Sequence, residues 1–161
     1  MIVEPNLGTT AIPNLLLDKV MPKLGETSWK LLCVVVRQTR GWRMPDGSRK
    51  QADWMSHSQL RRRTGRSSAA VSRAIDVLVR SGIIVVRDLF GNPLQSPSER
   101  RRSHSRLVFG LHPNIDSEIY LKRIAHNRFV NLKRKNDKTD LDKRKQQQQS
   151  YRTDRPKGPY S

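Results

Sequence analysis

The first forty residues contain two stretches in which apolar side chains recur at helical spacing. The first opens at residues 10–14 with Pro13 in its first turn, and it ends at Pro22 and Gly25. Its apolar stripe consists of Ile12, Leu15, Leu16 and Val20. The second begins near residues 26–28 and ends at Gly41, a residue type that commonly caps a helix. Its stripe consists of Trp29, Leu32, Cys33, Val36 and Thr39. We predict two amphipathic helices, followed by Trp42 folding back on the core and a turn at 44–48.

Residues 56–82 predict two short helices separated by a tight turn. The first is capped by Ser56 or Ser58 and ends at Thr64-Gly65, where we expect a left-handed glycine. The second is capped by Ser67 and closes at Ser81-Gly82. Its buried face consists of Val71, Ala74, Ile75 and Leu78, and its outer face of Ala69, Arg73, Asp76 and Arg80, with Ser72 at the edge. This succession is the plan of a helix-turn-helix.

A hairpin is predicted to follow these helices. Residues 83–88 are rich in β-branched side chains and predict a strand, and 106–111 predict its partner. The polar, arginine-rich loop 89–105 between them would be a wing. Residues 113–132 predict a weaker helix with an apolar face of Ile115, Ile119, Tyr120 and Ile124. Residues 133–161 are almost wholly polar, and we expect them to be disordered when free.

These elements predict a mainly α fold with a small β-hairpin, namely a winged helix-turn-helix followed by a basic, largely disordered tail. The expected organisation is an N-terminal arm at 1–8, the winged domain at 9–112, an extra helix at 113–132 and the tail at 133–161. The single cysteine, Cys33, lies in an apolar run and is expected to be a buried small hydrophobe. It cannot form an internal disulfide, which suits a reducing cytosol.

The charge of the chain points to a polyanionic partner. The 161 residues include 32 lysines and arginines against 14 acidic residues, a formal net charge of +18. Residues 58–87 carry seven arginines and one aspartate, and 122–161 carry 13 basic and four acidic residues. Such an excess is tolerable when a polyanion neutralises it, with nucleic acid the first candidate and an anionic membrane surface the second. Because the first basic block lies inside the folded region, we favour double-stranded DNA and expect no membrane partner.

The candidate DNA-binding residues come from the two short helices, their turn and the loop. Small residues and free N–H groups at the start of the second helix suit close approach to phosphates, and Arg73 is the candidate for reading a base. The arginines at 61–63 and 66 would meet the flanking backbone, and those of the wing would lie along the minor groove. The full set is Arg61, Arg62, Arg63, Arg66, Ser67, Ser68, Ala69, Ser72, Arg73, Arg80, Arg100, Arg101, Arg102 and Arg106.

The inventory of reactive residues argues against an enzyme. The chain has no glycine-rich phosphate loop ending in Lys-Ser or Lys-Thr. The four histidines lack metal-ligand spacing with one another or with Cys33. The three tyrosines have no His-x-His partner of the kind that a DNA-nicking enzyme uses. We therefore expect no catalytic residue, no metal and no cofactor.

Five strings resemble the N-terminal, origin-binding domain of phage replication protein O and related phage or plasmid replication proteins. They are residues 10–18 (TAIPNLLLD), 36–42 (VRQTRGW), 53–60 (DWMSHSQL), 64–65 (TG) and 71–75 (VSRAI). They occur in that family's order and at roughly its spacing, within residues 9–88. The resemblance implies a winged-helix domain that binds origin repeats as a homodimer in a bacterial host. It also implies a C-terminal part that recruits the replicative helicase or its loader.

Three functional hypotheses remain open at this point. The first is an initiator or accessory factor of replication of a phage, plasmid or other mobile element. The second is a transcriptional regulator of such an element, built on the same domain. The third is an adaptor protein whose DNA binding anchors a larger assembly. The target sequence, the oligomeric state and the partner do not follow from the residues.

Overall fold

The computed structural model of the protein describes residues 8–103 and 106–124. About half of these residues are helical, and three short strands form one antiparallel sheet. The helices are α1 (Glu26–Gln38), α2 (His57–Thr64), α3 (Ser68–Arg80) and α4 (Pro97–Arg102), and 118–124 belong to a fifth helix, α5. The strands are β1 (Ala52–Trp54), β2 (Ile84–Arg87) and β3 (Val108–Leu111). These elements confirm the prediction of a mainly helical fold with a β-hairpin. The predicted tail at 133–161 lies outside the described residues.

The predicted first helix is present as a short, irregular helical segment. Residues Leu16–Val20 form a π-helical turn, and Met21–Lys23 form a 3₁₀ turn that contains Pro22. Proline cannot donate a backbone hydrogen bond, so regular winding does not continue through it. Leu16 and Val20 are fully buried and bring this segment into the core.

Helix α1 lies at the centre of the core and buries a face that is rotated from its predicted stripe towards Leu31 and Val35. It packs against α3, α2 and β3. Its most buried apolar residues are Leu31, Leu32, Val35 and Val36. Trp29 and Cys33, predicted to be core residues, are only partly buried, and burial raises the pKa of the Cys33 thiol. The face differs from the prediction because neighbours cover α1 from several directions.

The end of α1 depends on a close backbone approach at Gly41. The helix ends at Gln38, and the N–H of Gly41 donates to the carbonyl of Val36 at 3.1 Å. A Cβ at Gly41 would overlap the carbonyl oxygen of Arg37 and lie 2.9 Å from Thr10 Oγ1. The prediction for Trp42 is wrong, because its side chain is 52% exposed and lies beneath the guanidinium of Arg37.

The sheet has the strand order β1-β3-β2, with β3 in the centre. Asp53 and Val86 both face Phe109 across the ladders, and Phe109 is buried in the core. Strand β1 was not predicted, because Ala52–Trp54 has no apolar alternation of its own and is a strand only through its pairing with β3. The two predicted strands are confirmed, each shorter than expected.

The predicted loop 89–105 contains a helix. Helix α4 begins at Pro97, and the side chain of Ser96 accepts from the N–H of Glu99 at 3.2 Å. The Glu99 carboxylate accepts in return from the N–H of Ser96 at 2.9 Å, which completes a capping box. The sequence Ser-Pro-Ser-Glu contains this capping signal. The prediction of a purely irregular loop was therefore wrong, although α4 could have been predicted from the sequence.

Helix α5 begins at 118 instead of the predicted Pro113, and this shift changes its buried face. Ile115, Leu121 and Ile124 are buried, whereas Ile119 is 81% exposed and was wrongly predicted to face the core. The ring of Tyr120 stacks on His112, and its hydroxyl donates to the carbonyl of Gly82 at 2.9 Å.

Candidate nucleic-acid interface

Two capped helices meet at a tight turn at the centre of the candidate site. The Ser56 side chain accepts from the N–H of Gln59 at 3.1 Å, and the Gln59 side chain accepts from the N–H of Ser56 at 2.9 Å. Helix α2 then ends at Gly65, whose φ of +65° lies in the left-handed region. Ser67 begins α3 by accepting from the N–H of Ala70 at 3.3 Å. The predicted turn and caps are confirmed, so local hydrogen bonds fix where each helix begins and the left-handed Gly65 sets the turn between them.

Helix α3 has one buried and one exposed face, as predicted. The buried face contains Val71, Ala74, Ile75 and Leu78, and also Val79. Ser68, Ala69, Ser72 and Arg73 are exposed. Among the residues that the structure describes, the Arg73 guanidinium has no hydrogen-bond or ion-pair partner. Arg73 is exposed and borders a shallow cleft of about 210 Å³ between α3 and the start of α1.

His57 adds a polar group that was not predicted as part of the site. Its Nε2 atom lies 3.1 Å from the hydroxyl of Ser72, which joins the first residue of α2 to the exposed face of α3. Burial lowers the pKa of His57, and the positive charge of Arg61 lowers it further. The imidazole is therefore neutral at neutral pH, with one ring nitrogen able to donate and the other able to accept. The sequence signal that could have identified His57 as part of the site is its position directly after the helix cap Ser56.

The three consecutive arginines of α2 are exposed and have different partners. Arg63 donates from Nη1 to Oε1 of Gln38 at 2.5 Å, and Gln38 donates from Nε2 to Oδ2 of Asp53 at 2.8 Å. Arg63 is thus connected to the end of α1 and to β1. No partner of the Arg61 or Arg62 side chain occurs within 8–103 and 106–124. These two side chains are available to an anion.

Arg66, in the turn before α3, is tied to the protein. Its guanidinium forms an ion pair with Glu26 at the start of α1. Glu26 also accepts from Lys30 at 2.8 Å, and the hydrogen bonds from Lys30 and Arg66 hold the pKa of this carboxyl below its ordinary value. This ion pair anchors the turn to α1, and the carboxylate that Arg66 shares with Lys30 offsets part of its charge, so Arg66 offers less charge to a ligand than predicted.

Arg100 is a structural residue, which corrects the prediction that it contacts DNA. Its side chain is buried, with 8% of the residue exposed. Its Nη1 atom donates to the carbonyls of Leu94 and Gln95, and its Nη2 atom lies 3.1 Å from Oδ1 of Asp76. Arg100 thereby fastens α4 to α3.

Asp76 and Arg80 are likewise more engaged than the helical wheel of α3 predicted. The Asp76 side chain is largely covered, and it pairs with both Arg80 and Arg100. Asp76 is covered because Arg100 of α4 reaches it, and α4 was not predicted from the sequence. Arg80 remains half exposed, and it shares the carboxylate of Asp76, one helical turn earlier, with Arg100.

The remaining predicted wing residues are found in two places. Arg101 and Arg102 are exposed on α4, and Arg101 Nε lies 3.4 Å from the carbonyl of Pro97. Arg106 lies beside β3 with its Cζ atom 4.6 Å from the centre of the Trp54 ring. The structure therefore separates the predicted wing set into one buried arginine, two exposed ones on α4 and one stacked on the sheet.

Comparison with known proteins supplies no relative for this site, since no family model, curated protein or solved structure matches the chain. Within 8–103 and 106–124, no group of three His, Cys, Asp or Glu side chains is arranged to hold a metal ion. None of the helices described there combines the length and the apolar character needed to cross a bilayer.

Proposed function

We propose that this chain is a winged helix-turn-helix protein that binds double-stranded DNA through the exposed face of α3. The observation that carries the proposal is Arg73, exposed and without a partner among the described residues, on a helix whose opposite side is buried. Ser68, Ala69 and Ser72 surround it with small side chains, which permit close approach to a groove. The major groove is wide enough to admit one α-helix, and arginine is the commonest specific reader of guanine there.

The order of the elements supports the winged-helix part of the proposal. A strand lies between the first helix and the helix pair, and two strands joined by a long connection follow α3. The strand order β1-β3-β2 is the one expected when such a connection forms a wing beside the recognition helix. Arg101 and Arg102 are the arginines of this connection that would reach the DNA backbone, because Arg100 is occupied by Asp76.

Arg73→Ala tests base reading directly. The target is first selected from a random duplex library with the full-length protein. The substitution should then relax the preference at one or two base pairs and weaken binding to the selected site by roughly 1–3 kcal/mol. Arg62→Ala is the matched control: it should weaken binding to all sequences about equally, because α2 would contact only phosphates. Equal loss on every sequence for Arg73→Ala would contradict base reading, and no binding to duplexes at low salt would contradict the whole proposal.

Within this class, we propose a role in initiating replication of a phage, plasmid or other mobile element. The support is the resemblance of residues 9–88 to the origin-binding domain of phage replication protein O. A pull-down of replicative helicase or its loader that depends on residues 112–161 would support this role. Binding confined to a promoter, with altered transcript levels, would favour a transcriptional regulator instead.

A further inference from the structure

Two of the three tryptophans lie at the surface, and each has an arginine over its ring. Trp42 is 52% exposed with Arg37 Cζ 5.6 Å from its ring centre, and Trp54 is 40% exposed with Arg106 at 4.6 Å. Neither tryptophan belongs to α2 or α3. Tryptophan is on average among the more buried residues, and exposed indole rings of this kind offer flat apolar surfaces to a ligand.

Trp54 lies on the outer face of the sheet. Residues directly opposite each other on paired strands point to the same side, and Trp54, Val108 and Arg87 form such a row across β1, β3 and β2. The neighbouring row of Asp53, Phe109 and Val86 points the other way, and both Phe109 and Val86 are buried in the core. The outer face therefore presents an indole ring and the exposed Arg87 on the two edge strands, with Val108 of the central strand between them.

The hairpin that leads into β1 adds a concentrated positive charge. Arg43 and Arg49 face each other across an isolated antiparallel bridge, and the N–H of Lys50 donates to the carbonyl of Trp42 at 3.1 Å. Like charges directly opposite each other destabilise such a pair. The acidic residue of the hairpin, Asp46, is exposed in the turn and accepts from the N–H and hydroxyl of Ser48. Arg49 also donates from Nη1 to the carbonyl of Arg40 at 3.2 Å, and a bound polyanion would reduce the repulsion between the two positive charges.

We propose that Trp42, Trp54 and the arginines at 43, 49 and 87 form a binding surface for single-stranded nucleic acid. Unpaired bases would stack on the two indole rings, and the arginines would contact the phosphates. A base stacked on an aromatic ring generally contributes more than an exposed cation–π contact. Arg37 and Arg106 can therefore leave the rings and pair with phosphates when a strand binds. None of the surface residues belongs to α2 or α3, so single-strand binding here would not use the residues proposed to contact a duplex.

The test measures binding of full-length protein to short oligothymidylate and oligouridylate across a range of salt concentrations. The double variant Trp42→Ala/Trp54→Ala should weaken binding to at least one of them by at least about fivefold at every salt concentration, with the salt slope unchanged because no charge is lost. The double variant Arg43→Gln/Arg49→Gln should instead reduce the slope. If only the binding of oligothymidylate weakens in the tryptophan variant, the surface takes DNA. If only the binding of oligouridylate weakens, it takes RNA.

The controls separate this surface from a folding defect and from the basic tail. Phe90→Ala removes another exposed aromatic ring, outside the surface, and should leave single-strand binding unchanged. Trp42→Phe/Trp54→Phe should retain most of the affinity, and thermal melts should show each variant folded. Unchanged affinity of the alanine variant for both oligonucleotides would overturn the proposal. An equal loss on single strands and on duplex DNA would also overturn it, because paired bases cannot stack on these rings.

Discussion

At the residue scale, the arginines of this protein are alike in sequence but not in environment. Arg73 has no partner among the described residues, Arg66 is paired with Glu26, and Arg100 is buried on Asp76 and two carbonyls. An arginine whose donors are satisfied inside the protein has few left for phosphate. The environment, more than the residue type, thus determines which arginines are available to the proposed interface.

Replacing Arg100 with alanine should reduce the stability of the fold. The substitution leaves two carbonyls without their donor and leaves Asp76 with only Arg80, so the free energy of unfolding should fall by about 2–3 kcal/mol. Urea denaturation measures the loss. Arg101→Ala, at the next and exposed position of the same helix, should change the stability by less than about 0.5 kcal/mol. Equal effects of the two substitutions would contradict the structural role of Arg100.

At the element scale, two glycines end helices for different physical reasons. Gly65 is needed for its positive φ, and a Cβ there would meet no atom within 4 Å. Gly41 has no positive φ, but a Cβ there would overlap a backbone carbonyl. A Cβ at Gly65 would lower the stability only through an unfavourable backbone conformation. A Cβ at Gly41 would lower it through a steric clash that no side-chain rotation can relieve.

Gly41→Ala should therefore destabilise the protein more than Gly65→Ala does. A left-handed alanine costs about 1–2 kcal/mol, and overpacking against backbone at Gly41 should cost about 2–3 kcal/mol. Thermal unfolding of both variants gives the comparison. Gly65→Asn is the matched control, because asparagine tolerates the left-handed region and should recover part of the loss. A larger effect at Gly65 than at Gly41 would show that the close approach at Gly41 relaxes easily.

At the scale of the whole molecule, positive charge is divided between the folded part and the C-terminal residues. Residues 133–161 contain ten basic and four acidic side chains, and they lie outside the described residues. Charges on such a segment would add to affinity for any polyanion without adding sequence preference. Specific recognition would then belong to α3 and general attraction to the tail.

Removal of residues 133–161 should weaken binding to every duplex and flatten the dependence of affinity on salt. The reason is that each phosphate contact releases counterions, so fewer contacts give a smaller slope. Titrations of the selected site and of an unrelated duplex, at several salt concentrations, measure both effects. The ratio of the two affinities should stay the same, because α3 is intact. An unchanged salt slope would show that the tail does not contact DNA.

Local signals in the sequence were sufficient to predict the helix pair. The caps Ser56 and Ser67, the turn at Gly65 and the apolar spacing of α3 depend on residues only a few positions apart. Propensity, capping and periodicity act over that range, so α2, α3 and the exposure of Arg73 could be predicted and are confirmed. Helix α4 had a local signal as well, in Ser96 and Glu99, and could have been predicted from it.

What only the tertiary structure decided depends on pairs of residues far apart in the chain. Strand β1 is formed by pairing with β3 some fifty residues later, and Asp76 is covered because Arg100 reaches it from α4. Packing between separate elements likewise decides three further features. These are the face that α5 buries, the exposure of Trp42 and the ion pair between Arg66 and Glu26. The sequence by itself thus determined the elements with local stop and start signals. The burial and pairing of individual charges were decided by long-range contacts, because no short-range pattern specifies which distant segment will cover a side chain.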